Sequence, residues 1–98
     1  MPGCARAFPD VTDFQSAADG QLESLTEGLP AEEAALALAV LANRAATRLH
    51  NLTRGEALAR KGEPSWAGWA GLQNAARALV LQTSTCRDLA AKLAGRRG

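Results

Sequence analysis

The sequence is poor in the residues that build most catalytic and metal sites. Its 98 residues include no tyrosine, two phenylalanines, two tryptophans, two cysteines and one histidine. No acidic residue lies three or four positions from His50, so a metal site lacks its minimum set of ligands. Cys4 and Cys86 lie 82 positions apart and form no disulfide framework, which suits a reducing compartment. We therefore expect neither a metal nor a cofactor.

Long hydrophobic runs are also missing. The longest apolar run, from Ala34 to Ala42, has nine residues, whereas a membrane-spanning helix needs about 20. No secretory signal pattern precedes it. The sequence therefore predicts a cytoplasmic protein that does not enter a membrane. Arginine outnumbers lysine nine to two, which together with the alanine excess is typical of bacterial proteins from GC-rich genomes.

Alanine is the residue that the chain has in abundance, with 22 copies. It is the best helix former, but its methyl group buries little apolar area. A chain of this length is also close to the lower limit for a self-sufficient core. The composition therefore favours helices that need either close mutual contact or a second chain for stability.

The charges are distributed unevenly along the chain. Residues 1–33 carry seven acids and one base, a net charge of −6, and residues 34–98 carry ten bases and three acids, a net charge of +7. A basic second half could bind nucleic acid. The simpler interpretation is that the acidic segment folds against the basic one and neutralises it.

The spacing of apolar residues predicts one all-α domain over residues 1–98, with three helices and no strand. Helix 1 should cover about 11–27, from a capping box at Thr12 and Gln15 to a stop at Gly28. Helix 2 should cover about 30–61, with Gly62 as its left-handed cap and a kink or break possible at Gly55. Helix 3 should cover about 65–94, and its apolar stripe, taken in steps of three and four, comprises Trp69, Leu72, Ala76, Leu79, Thr83, Cys86, Ala90 and Leu93.

Helices 2 and 3 should form a long antiparallel hairpin, with the shorter helix 1 packed on its open end as a three-helix bundle. Residues of the hairpin face each other where their numbers add up to about 126, because both helices rise equally per residue. Asn43 and Thr83 then meet in a buried polar layer, and Cys86 is a small core residue. Helix 1 reaches only about Arg48, so that residues 49–77 at the tip stay uncovered.

The uncovered tip concentrates large apolar side chains, which normally mark an interface. The predicted interface consists of Leu49, Leu52, Leu58, Trp66, Trp69 and Leu72, with a basic rim of Arg48, Arg54, Arg60 and Lys61. The tryptophans could instead stack on nucleic-acid bases, lie at a membrane surface, or close the hairpin end against Leu58. If helix 2 breaks at Gly55, the tip covers itself and the chain stays monomeric.

Catalytic and DNA-reading motifs are weak. To act as a nucleophile, Cys86 or Ser84 would need a neighbouring base. The only histidine, His50, faces about Ala76, which lies roughly 15 Å along the hairpin from Cys86. A helix-turn-helix over Glu56–Trp69 lacks the small residue before its turn and the polar side chains that read bases. We therefore expect no enzyme, but a non-catalytic protein–protein interaction or regulatory module that forms a homodimer or binds a protein partner through the tip. The rival hypothesis is nucleic-acid binding by the basic tip around Arg54, Arg60 and Lys61.

Overall fold

The computed structural model describes residues 10–97, with side chains to residue 96, and contains three helices and no strand in that part of the chain. They are α1 (Val11–Thr26), α2 (Ala31–Ala59) and α3 (Trp66–Arg97). The predicted all-α class is confirmed, and the helices begin and end within three residues of the predicted bounds. Cys4 and Arg6 lie outside the described residues.

The cap of α1 lies two residues earlier than the sequence predicts, at Asp10 and not at Thr12. The Asp10 carboxylate accepts a hydrogen bond from the Asp13 N–H at 3.0 Å, and the Asp13 carboxylate accepts one from the Asp10 N–H at 3.2 Å. This reciprocal pair is the capping box. Thr12 is already inside the helix, so it cannot take the extended backbone that a cap residue needs and that Asp10 adopts.

The turn between α2 and α3 depends on glycine. Arg60 ends α2 by donating its backbone N–H to the Glu56 carbonyl oxygen at 3.0 Å, and Gly62 then adopts a φ of +91°. Only glycine takes that conformation without steric cost. At Gly55, by contrast, α2 is continuous as a helix, so the break considered at this position does not occur.

The two long helices pack along a narrow antiparallel seam, whose positions alternate in steps of three and four as in a coiled coil. Every seam residue is buried or half-buried, and many are small or polar. On α2 the seam comprises Glu32, Leu36, Ala39, Asn43, Ala46, His50, Thr53, Ala57 and Arg60. On α3 it comprises Trp69, Gln73, Ala76, Val80, Thr83, Arg87, Ala90 and Ala94.

The predicted α3 stripe is therefore half wrong. Trp69, Ala76, Thr83 and Ala90 do belong to the seam, but the other four predicted positions are exposed, and Cys86 among them is not a core residue. Among the described residues the buried set consists of four alanines together with Asn43, Thr53 and Thr83. No large apolar side chain is buried in this part of the chain.

The short helix α1 leaves the hairpin largely uncovered. α1 lies on the open end of the hairpin, but it contacts α2 alone and buries none of its own residues. The molecule forms a layer with extents of 53 × 35 × 14 Å. Its radius of gyration is 17.2 Å, against about 13 Å for a compact domain of 100 residues. Within residues 10–97, no helix combines the length and the apolarity that a membrane span requires.

Candidate interaction surfaces

A polar layer occupies the middle of the seam. The Asn43 side-chain amide donates hydrogen bonds to the hydroxyl oxygens of Thr83 at 3.0 Å and Ser84 at 3.1 Å, and lies 3.3 Å from the Val80 carbonyl oxygen. The Thr83 hydroxyl in turn donates to the Leu79 carbonyl oxygen at 2.7 Å. The structure thus brings the two predicted layer residues together, both buried.

An arginine that the sequence did not single out completes this layer. The Arg87 guanidinium donates a hydrogen bond to the Asn43 side-chain oxygen at 2.9 Å and lies 3.5 Å from the Asp88 carboxylate. No buried side-chain nitrogen or oxygen lacks a partner among the described residues. Because these bonds join one level of α2 to one level of α3, they favour a single register of the hairpin.

The hairpin has two flanks of opposite character on either side of the seam. In an antiparallel helix pair, residues that directly precede seam positions lie on one flank of both helices, and residues that directly follow them lie on the other. A cavity of about 330 Å³ at the tip illustrates the rule, since Arg54 and Leu58 of α2, Lys61 of the turn and Ala70 of α3 each follow a seam position.

The preceding flank is almost free of charge. From Ala35 to Ala59 and from Gly68 to Leu93, Glu56 is the one charged residue directly before a seam position. Its carboxylate is paired with Arg60 at 2.9 Å. Seven leucines give this flank its apolar character. Leu38 lines a cavity together with residues of α1. We call the other six the leucine face: Leu49, Leu52, Leu72, Leu79, Leu89 and Leu93.

The opposite flank is the more basic of the two, and it also exposes Val40, Leu58 and Leu81. Over the whole length of the seam it exposes four cationic side chains and two carboxylates: Arg44, Arg54, Lys61, Arg77, Glu33 and Asp88. Asn51 and Asn74 add polar groups between them. The hairpin is therefore amphipathic as a whole, with an apolar face on one side and a cationic one on the other.

The six predicted tip residues lie at one end of the hairpin but on different sides of it. Leu49, Leu52 and Leu72 belong to the leucine face, whereas Leu58 lines the tip cavity on the basic flank. The two tryptophans also separate. Trp66 is exposed and lines the same cavity as Leu58, and Trp69 is half-buried at the end of the seam.

The predicted basic rim is divided as well. Arg60 is engaged within its own chain, since its guanidinium pairs with Glu56 at 2.9 Å, lies 3.6 Å from Glu63 and covers the Trp69 ring at 5.6 Å from the centroid. Such a cation–π contact holds the ring against the turn. Arg54 and Lys61 line the tip cavity, and Arg48 is exposed on α2, without an ion pair to any described residue in all three cases.

The structure also places the residues considered for chemistry. His50 is half-buried at a seam position of α2, and Cys86 is exposed on the preceding flank of α3. Within residues 10–97, no three histidine, cysteine, aspartate or glutamate side chains lie close enough together to hold a metal ion.

Sequence reasoning missed half of the leucine face. Leu79 and Leu93 were assigned to the core stripe, and Leu89 was not considered. A usable signal was present, because Leu72, Leu79, Cys86 and Leu93 recur every seven residues and so lie along one line of a helix.

Fold and surfaces together define an all-α helical-hairpin protein with one exposed apolar face. No family model, no curated protein and no solved structure matches the chain.

Proposed function

We propose that this protein is a non-catalytic protein–protein interaction or regulatory module that works as a homodimer in the cytoplasm of a bacterium. One observation supports this proposal above the others: among the described residues every buried side chain is small or polar, and fifteen large apolar side chains are exposed. Burying a leucine, phenylalanine or valine fully is worth about 1.5–3 kcal/mol. A single chain of this kind leaves most of that stabilisation unused, and a second chain recovers it.

The hairpin tip forms part of the proposed contact. Large apolar side chains crowd both flanks there, and α1 contacts α2 alone, on the open end. Tryptophan is a preferred anchor in buried contacts. Trp66 is the more accessible of the two, so it would be buried more by a partner.

Sedimentation equilibrium of the purified chain tests the proposal. We expect a dimer at tens of micromolar, and the double variant Trp66→Ala plus Trp69→Ala should weaken the association. A wild-type monomer at every concentration up to a few hundred micromolar would refute the proposal. An unchanged dimer in the double variant would remove the tryptophans from the contact.

The alternative function is nucleic-acid binding by the basic flank. It is favoured by the side chains of Arg54 and Lys61, which have no ion pair to any described residue and line the tip cavity together with Trp66. Phosphate contacts of this kind weaken steeply as salt increases, whereas an apolar dimer contact does not. Binding of a labelled oligonucleotide at 50 and 200 mM salt separates the two functions.

A further inference from the structure

The leucine face continues well beyond the tip. It runs from Leu72 along α3 to Leu93, and α1 makes no contact with α3. Leu79, Leu89 and Leu93 are 41%, 55% and 49% exposed. These side chains are too widely spaced along α3 to belong to the tip contact alone.

The size of the face matches what a stable contact requires. The part of the leucine face that α3 contributes, from Gly68 to Leu93, is about 38 Å long at 1.5 Å per residue. Two adjacent helices are together about 20 Å wide. On the same flank of α2, α1 covers the surface around Leu38 and Ala42. The remaining footprint is on the order of 600 Å², close to the roughly 800 Å² per partner of a standard interface.

The charge pattern favours a second copy of the same chain as the occupant of the leucine face. The leucine face carries one charged residue, Glu56, and Arg60 of the same chain neutralises it. Two such faces therefore meet without like-charge repulsion. The basic flank has four cations against two acids and would repel itself, so it stays outside.

We infer that two hairpins stack with their leucine faces together, so that α2 and α3 of both copies form a four-helix core with the basic flanks outside. Four helices packed around leucines form a closed arrangement for identical chains. This inference rests on the proposed self-association and specifies the surface that carries it. It assigns Leu79, Leu89 and Cys86 to the contact, all of them outside the tip.

A charge-matched pair of double variants tests the surface. Leu79→Lys plus Leu89→Lys places two cations on the leucine face, and we expect the dimer dissociation constant to rise at least about 100-fold. The control, Val40→Lys plus Leu81→Lys, adds the same charge on the opposite flank at similar exposure, 38% and 66%. It should leave the dissociation constant within about threefold of the wild type. Circular dichroism confirms that both variants keep their helices.

Cys86 gives a second readout that needs no disruptive variant. It is exposed in the single chain, so that in a Cys4→Ser background a thiol reagent should modify it rapidly at low protein concentration. Dimerisation should slow this reaction at least about tenfold, in parallel with the dimer fraction measured by sedimentation.

The outcomes separate the two proposals. A wild-type monomer refutes self-association and the assigned surface together. If the thiol reagent modifies Cys86 slowly in that monomer, α1 covers the leucine face. A wild-type dimer in which the leucine-face variant associates normally, or in which Cys86 reacts at an unchanged rate, overturns the surface alone. In that case the contact lies at the tryptophan side of the tip, and the proposed function stands.

Discussion

The polar layer of the seam should show energetic coupling between its two helices. The test is a double-mutant cycle with Asn43→Leu and Thr83→Val, which removes the 3.0 Å hydrogen bond between their side chains from either end. Both substitutions keep the approximate shape of the original side chain. The losses therefore report mainly on hydrogen bonding and not on a new cavity.

The structure predicts unequal single losses. After Thr83→Val, the Asn43 amide keeps the Ser84 hydroxyl and the Val80 carbonyl oxygen as acceptors, so the expected loss is about 0.5–1.5 kcal/mol. Asn43→Leu also removes the acceptor of Arg87. Because the Arg87 side chain is 43% exposed and water replaces part of that bond, we expect a loss of about 2 kcal/mol.

The double variant should lose about 1 kcal/mol less than the sum of the single losses, because the shared bond is counted in both. Urea unfolding followed by circular dichroism at one protein concentration measures each free energy. Thr53→Val combined with Asn43→Leu is the matched control, since Thr53 is buried but bonds only to carbonyl oxygens of its own helix. The control should be additive within about 0.5 kcal/mol, and the same additivity in the Asn43–Thr83 cycle would refute the layer.

The remaining predictions concern the backbone, with urea unfolding as the measurement. Gly55→Ala should stabilise the protein by up to about 1 kcal/mol, because the position is helical and open. Gly62→Ala should destabilise it by about 1 kcal/mol, since φ is +91° there; equal effects of the two changes would contradict the turn geometry. Asp10→Ala should destabilise the protein by about 1 kcal/mol through loss of the capping box at α1. Thr12→Ala should destabilise it less, and a larger loss for Thr12→Ala would indicate that Thr12 is the cap residue.

Sequence patterns predicted the elements of this fold well because the signals for them are local. Gly28 and Gly62 do adopt positive φ at the ends of α1 and α2, since a left-handed residue after a helix is nearly always glycine. The equal rise of two antiparallel helices was enough to place Asn43 opposite Thr83. The break considered at Gly55 did not occur, because a glycine costs a long packed helix only about 1 kcal/mol.

The lateral packing could not be predicted in the same way. Two stripes on α3 share the same four residues, which are Trp69, Ala76, Thr83 and Ala90. The stripes differ in the residue that comes next after each of the four, which lies either three or four positions further along the chain. A step of three adds three leucines and Cys86, and a step of four adds Gln73, Val80, Arg87 and Ala94. Hydrophobicity favours the first stripe, and the structure adopts the second.

This choice carries information about what the protein does. A hydrophobic pattern predicts that a helix face is buried, but it does not indicate which chain buries it. Between Ala39 and Ala57 the seam of α2 consists of alanine, threonine, histidine and asparagine, and the α3 stripe that packs against it is also mostly small or polar. The leucines left over by that pairing stay exposed or half-buried in the described part of the chain. Their seven-residue spacing, which misled the assignment of the core, is the spacing expected where a helix of a second chain packs against α3.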